Sequence, residues 1–99
     1  MEFEYRWNED KNEQLLRERR LSFEMVLEAI AAGDLLADEP HPDAVKYPHQ
    51  RLLFVIIGEY VCVAPYVFDG HVRFLKTLYR SRKANRRKAG EIDGTSRTN

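Results

Sequence analysis

Residues 60–79 read YVCVAPYVFDGHVRFLKTLY, two runs rich in β-branched and aromatic side chains on either side of Asp69-Gly70. An Asp-Gly pair suits a type I′ turn, whose two central residues both need positive φ, so the stretch predicts a β-hairpin with strands 60–68 and 71–79. With Asp69 and Gly70 as the loop, Phe68 stands opposite His71, Tyr66 opposite Arg73, Cys62 opposite Thr77 and Tyr60 opposite Tyr79. Alternation then sorts the side chains into two faces. One holds Val61, Val63, Pro65, Val67, Val72, Phe74 and Leu78, broken only by Lys76, and is the face expected to lie under helices. The other interleaves Tyr60, Tyr66, Phe68 and Tyr79 with His71 and Arg73.

The flanking segments supply the rest of a sheet and its helices. LLFVII (52–57) is an unbroken apolar run and reads as a central strand buried on both faces, with Gly58 and Glu59 turning the chain into the hairpin. Phe3, Tyr5 and Trp7 alternate with Glu4 and Arg6 as a short strand does. Asn8 is a good N-cap for a helix over 8–20, with Glu9 and Asp10 at its start and Arg17, Arg19 and Arg20 at its end. Only Leu15 and Leu16 give that helix an apolar face. In LSFEMVLEAIAAG (21–33), Ser22 is placed to cap, Phe23, Val26, Leu27 and Ile30 fall on one helical stripe, and Gly33 ends it. DLLAD (34–38) reads as a short strand, and EPHPDAVKYPHQ (39–50), with three prolines and no periodicity, as a surface loop. RSRKANRRK (80–88) reads as a short basic helix, and GEIDGTSRTN (90–99) has almost nothing to bury. These readings give one domain over 1–88 and a disordered tail over 89–99.

At 99 residues with 43% apolar content, the chain has room for one modest core. The formal net charge of zero conceals a division: residues 1–45 carry twelve acids and five bases, and residues 46–99 four acids and eleven bases. That asymmetry fits partners of opposite sign, internal pairing of the two halves, or plain salt-bridged solubility. Cys62 is the lone cysteine, which excludes an intrachain disulfide and suits a small core side chain in a reducing compartment. No stretch reaches the roughly 20 apolar residues of a membrane span, and MEFEYRWNED is too polar for a secretory signal. A cytoplasmic protein without membrane association is expected.

Rings on a sheet stack unpaired bases, and cations beside them neutralise phosphates, so the mixed hairpin face followed by RSRKANRRK fits an RNA surface. It equally fits ordinary cross-strand ring pairs followed by a solvated basic helix. RNA can be cut without a metal when its own 2′-OH attacks the phosphate, given a base, positive charge on the phosphate and an acid at the leaving oxygen. Arg73, Arg82 and Lys83 are candidates for the charge. His71, His49, Lys76 or Tyr79 are candidates for proton transfer, Lys76 only if neighbouring cations lower its pKa. Tyr66, Tyr79, Lys46, Arg80, Arg86 and Arg87 are candidates for contacting RNA. His41, His49 and His71 lack the spacing of a zinc site, and no phosphate-binding loop or nucleophile motif is present, so neither metal nor cofactor is expected.

The order W-N-x-x-K-N (Trp7 to Asn12), S-F-E (Ser22 to Glu24), an HP loop, K-Y-P-H-Q (Lys46 to Gln50), F-L-K-T (Phe74 to Thr77) and S-R-K-A (Ser81 to Ala84) resembles the BrnT family of toxins over residues 3–88. The resemblance implies an α+β, RelE-like fold: two N-terminal helices on a mostly antiparallel sheet of four or five strands, then a short basic helix. It also implies the toxin of a type II toxin–antitoxin system, an endoribonuclease held in an oligomeric complex by an antitoxin from the adjacent gene. Arg82, Lys83 and Ala84 fall where many members have Arg-Arg-Ala. Lys83 departs from that pattern, and YPHQ and FLKT mark a distinct subgroup, which leaves open a catalytically silent module that binds RNA or antitoxin. Duplex DNA binding through the basic run is a third possibility.

Overall fold

In the computed structural model, which describes residues 3–86, the chain runs β1 (Glu4–Arg6), α1 (Glu9–Arg19), α2 (Phe23–Ala31), β2 (Leu35–Pro40), β3 (Gln50–Ile57), β4 (Tyr60–Asp69), β5 (Val72–Leu75) and β6 (Tyr79–Arg80), and residues 82–86 are helical (α3). The strands form one six-stranded sheet in the order β1-β5-β4-β3-β2, with β6 also paired to β4. Every pairing is antiparallel except β1 with β5. The α+β class is as expected, with six strands rather than four or five because the returning limb of the hairpin is split into β5 and β6. The expected 89–99 tail lies outside the described residues.

Asn8 caps α1 as its sequence position suggests, its side chain accepting the Lys11 N–H at 3.0 Å. At the other end Arg20 takes the left-handed conformation, φ 57°, where glycine is usual, and its N–H returns to the carbonyl of Leu16. Ser22 does not cap α2 with its side chain. Asn12, buried on α1, accepts the Phe23 N–H at 2.7 Å and donates to Glu24 at 2.8 Å, so one helix caps the next. Leu15, Leu21, Phe23, Val26 and Ala29 pack on Leu53, Val55, Cys62, Ala64, Tyr66, Leu75 and Leu78, and Trp7 stacks on Phe23 at 5.5 Å. Each large side chain buried here stabilises the fold by about 1.5–3 kcal/mol.

The hairpin differs from its expected register. Asp69 pairs with Val72, Phe68 with Arg73 and Tyr66 with Leu75, so the loop is Gly70-His71 rather than Asp69-Gly70. Gly70 has φ 63°, and Arg20 is the sole non-glycine residue with positive φ among the described residues. A loop with positive φ only at its first central residue matches the type II′ pattern, which spares Asp69 a left-handed conformation. The shift moves each partner by two positions and so preserves the alternation. The helices nevertheless cover the opposite face from the one expected. Cys62, Ala64, Tyr66 and Leu75 lie under them, while Val61, Val63, Pro65 and Val67 share with Leu52 and Phe54 the face away from α1 and α2, here called the open face, where Val67 and Phe54 are partly exposed and the other four are buried. Small side chains at 62 and 64 leave room for the helices to approach.

A second irregularity follows. Between the pairs Tyr66–Leu75 and Val63–Tyr79, β4 advances by three residues and its partner by four. The extra residue is a bulge that reverses the alternation beyond it. Leu78 is fully buried in the core, Tyr79 turns to the open face, and Arg80 turns to the helix face opposite Cys62.

Candidate functional site

On the helix face, one row of polar and aromatic side chains crosses five neighbouring strands: Tyr5 on β1, Arg73 on β5, Tyr66 and Phe68 on β4, Arg51 on β3 and Asp38 on β2. Asp38 receives the Arg51 Nε at 3.0 Å and the Tyr66 hydroxyl at 2.9 Å, and lies 3.4 Å from an Arg73 Nη. The other Nη of Arg73 donates to the Tyr5 hydroxyl at 3.3 Å. Rings enclose the Arg73 guanidinium, Phe3 at 3.9 Å, Tyr66 at 5.0 Å, Phe68 at 5.4 Å and Tyr5 at 5.8 Å from centroid to charge. Burial, and then the bond to Asp38, push the Tyr66 phenol above its ordinary pKa. The hydrogen bonds to Asp38 and Tyr66 do the same for Arg51.

This row is a closed structural cluster. Arg73 is only 8% exposed and its Nε is buried without a hydrogen-bond partner. Tyr66 is wholly buried with its hydroxyl committed to Asp38. Neither presents the open ring or the accessible cation that an RNA strand requires, because both face the helices.

The open face of the sheet carries a groove of about 800 Å³. Its floor is Leu52, Phe54 and Val63, one wall is the end of β2 and its continuation, Glu39 to Pro42, and the other wall is Tyr79, Ser81, Arg82, Lys83 and Ala84. The bulge delivers Tyr79 to this wall. Burial raises the pKa of the Tyr79 phenol above its ordinary value. α3 is held in place by Ser81, just before it, and by Asn85 within it: Ser81 Oγ accepts the Ala84 N–H at 3.0 Å, and Asn85 accepts the Val61 N–H at 2.9 Å while donating to the Val61 carbonyl at 3.0 Å. On the opposite wall the His41 ring packs at a tilt against Tyr47, centroids 4.4 Å apart, and its Nδ1 accepts the Asp43 N–H at 3.0 Å. That bond places the proton of the neutral ring on Nε2.

Of the candidate residues, Tyr79, Arg82 and Lys83 meet in this groove. His49 is exposed on the loop before β3, and Lys46 lies over the Tyr47 ring at 5.4 Å. His71 sits in the hairpin turn, 3.3 Å from Glu4, which also pairs with Arg6. Lys76 is exposed over Phe74 at 5.5 Å. Arg80 donates to the Arg19 carbonyl at 2.9 Å, and Arg86 is exposed on α3. Arg87 lies outside the described residues. Glu39 and His41, which the sequence reading did not select as site residues, line the groove. Their signal was the E-P-H-P spelling, in which two prolines fix the backbone around a histidine. No protein-family model, curated protein or solved structure matches this chain.

Proposed function

We propose that the chain is a toxin-like endoribonuclease of RelE-like fold that holds single-stranded RNA in the open-face groove and cuts it without a metal. The observation carrying this reading is the convergence of Glu39, Tyr79, Arg82 and Lys83 on one apolar-floored groove. In-line attack by the 2′-OH needs three functions, and each has a group there. The Glu39 carboxylate accepts the 2′-OH proton. Arg82 and Lys83 offset charge gathering on the phosphate. The Tyr79 phenol donates to the leaving oxygen. The resemblance to BrnT toxins supports the same reading, and an antitoxin with an acidic segment would compete for the same two cations.

Purified protein is expected to degrade RNA in EDTA, and Arg82→Ala/Lys83→Ala to slow cleavage at least tenfold, with Tyr79→Phe slowing it further than any loss of RNA affinity explains. A second reading, a module that binds RNA or antitoxin without cutting, uses the same groove and its two cations without the proton transfers. RNA that stays intact in EDTA at every protein concentration while still being bound would install this second reading in place of the first.

A further inference from the structure

The fold joins two cationic segments that are remote in sequence. Arg19 donates to the Leu78 carbonyl at 2.8 Å, and Arg80 donates to the Arg19 carbonyl at 2.9 Å, across separations of 59 and 61 residues. The C-terminal turn of α1, with exposed Arg17 and Arg20, therefore stands beside β6. Among the described residues β6 pairs with β4 alone, so at this edge a single short strand separates the groove side of the sheet from the helix side. Tyr79 faces the groove and Arg80 faces α1, with the Arg80 guanidinium 5.6 Å from the exposed Tyr60 ring.

We propose that an RNA strand leaving the groove crosses the β6 edge and lays its phosphates on Arg80, Arg17 and Arg20, a second subsite at the end of α1. The proposal rests on the groove reading and extends it. Arg17 and Arg20 line a shallow hollow with Leu16 and Glu13, and neither makes a side-chain hydrogen bond or ion pair among the described residues. Of the nearby acids, Glu18 is engaged by Gln14, and Glu13, one turn before Arg17, lines the hollow against two arginines. A helix C-terminus ordinarily repels anions through its free carbonyls. Here those of Leu15 and Leu16 accept N–H groups of Leu21 and Arg20, and that of Arg19 accepts Arg80. Tyr60 adds a ring on which a base can stack beside the cations.

The test is fluorescence anisotropy with 2′-O-methyl oligouridylates, which cannot be cut, of roughly 5 and roughly 15 nucleotides. The short probe reports the groove and the long one the groove plus its extension. The variant is Arg17→Ala/Arg20→Gly, and glycine suits the left-handed position of Arg20, so loss of binding cannot be put down to unfolding. Expected is about a tenfold weakening for the long probe, a salt slope shallower by about 1.4 for two lost phosphate contacts, and no change beyond twofold for the short probe. Unchanged affinity and slope for the long probe overturn the extension and leave the groove intact. Failure of the unaltered protein to bind either probe overturns both. Preference for a duplex of the same length overturns the single-strand path.

Discussion

At the scale of the residue, Arg73 changes meaning most. Its type and strand position suggested a phosphate ligand, but a guanidinium stacked within four rings and tied to Asp38 and Tyr5 is a bracket across the sheet. Arg73→Leu removes that bracket while Asp38 keeps Arg51 and Tyr66, so the expected loss is about 1–3 kcal/mol, less than for an isolated buried ion pair. Arg73→Lys should not restore it, because an ammonium cannot lie flat between rings and reach two acceptors. Urea denaturation of the two variants checks both statements. Unaltered stability in Arg73→Leu would return Arg73 to the list of ligands. The orphaned Nε is a cost the cluster bears within its other contacts.

At the scale of the element, α2 depends on α1 for its first turn. Asn12→Ala should cost about 1–2 kcal/mol, since it uncaps the Phe23 N–H and leaves Glu24 without its amide partner. The same bond has a pH signature. The Asn12 amide, followed by the residue's own backbone N–H, holds the Glu24 carboxyl below its ordinary pKa. A depressed carboxyl contributes stability that is present above the unfolded value, about pH 4.3, and is lost as pH falls through the folded value. Urea midpoints measured downward from pH 6 should therefore decline less steeply in Asn12→Ala than in the unaltered chain. An identical decline would assign the acid sensitivity elsewhere. The elements themselves were largely legible: the Asn8 cap, the stripe Phe23, Val26 and Ile30 and the run LLFVII each carry a local signal, and Asp69-Gly70 marked the hairpin though not its register, since the loop is Gly70-His71. The capping of α2 was not, because Asn12 acts from eleven residues away and Ser22 offered a nearer explanation.

At the scale of the whole molecule, the sheet is strongest at β3 and β4, paired over eight residues, and weakest at three-residue β1 and two-residue β6. Hydrogen exchange should accordingly be slowest at the amides of Leu53 to Val55 and Cys62 to Ala64 and fastest at β1 and β6. Protection of β6 equal to that of β4 would contradict this. The assignment of the two faces escaped the sequence because β4 is apolar on both. Alternation sorts its side chains but does not say which set meets helices, and Cys62 and Ala64 look less like a core than four β-branched or proline neighbours do. The site was half legible for the same reason: Arg82 and Lys83 follow from the basic run, whereas Tyr79 reaches them only because one residue between 75 and 79 is surplus to the pairing. That surplus residue makes the region sensitive to length in a way no substitution reproduces. Deleting one residue from 76–78 would exchange the sides on which Tyr79 and Arg80 emerge, removing a ring from one surface and a guanidinium from the other, with strand order and composition almost untouched.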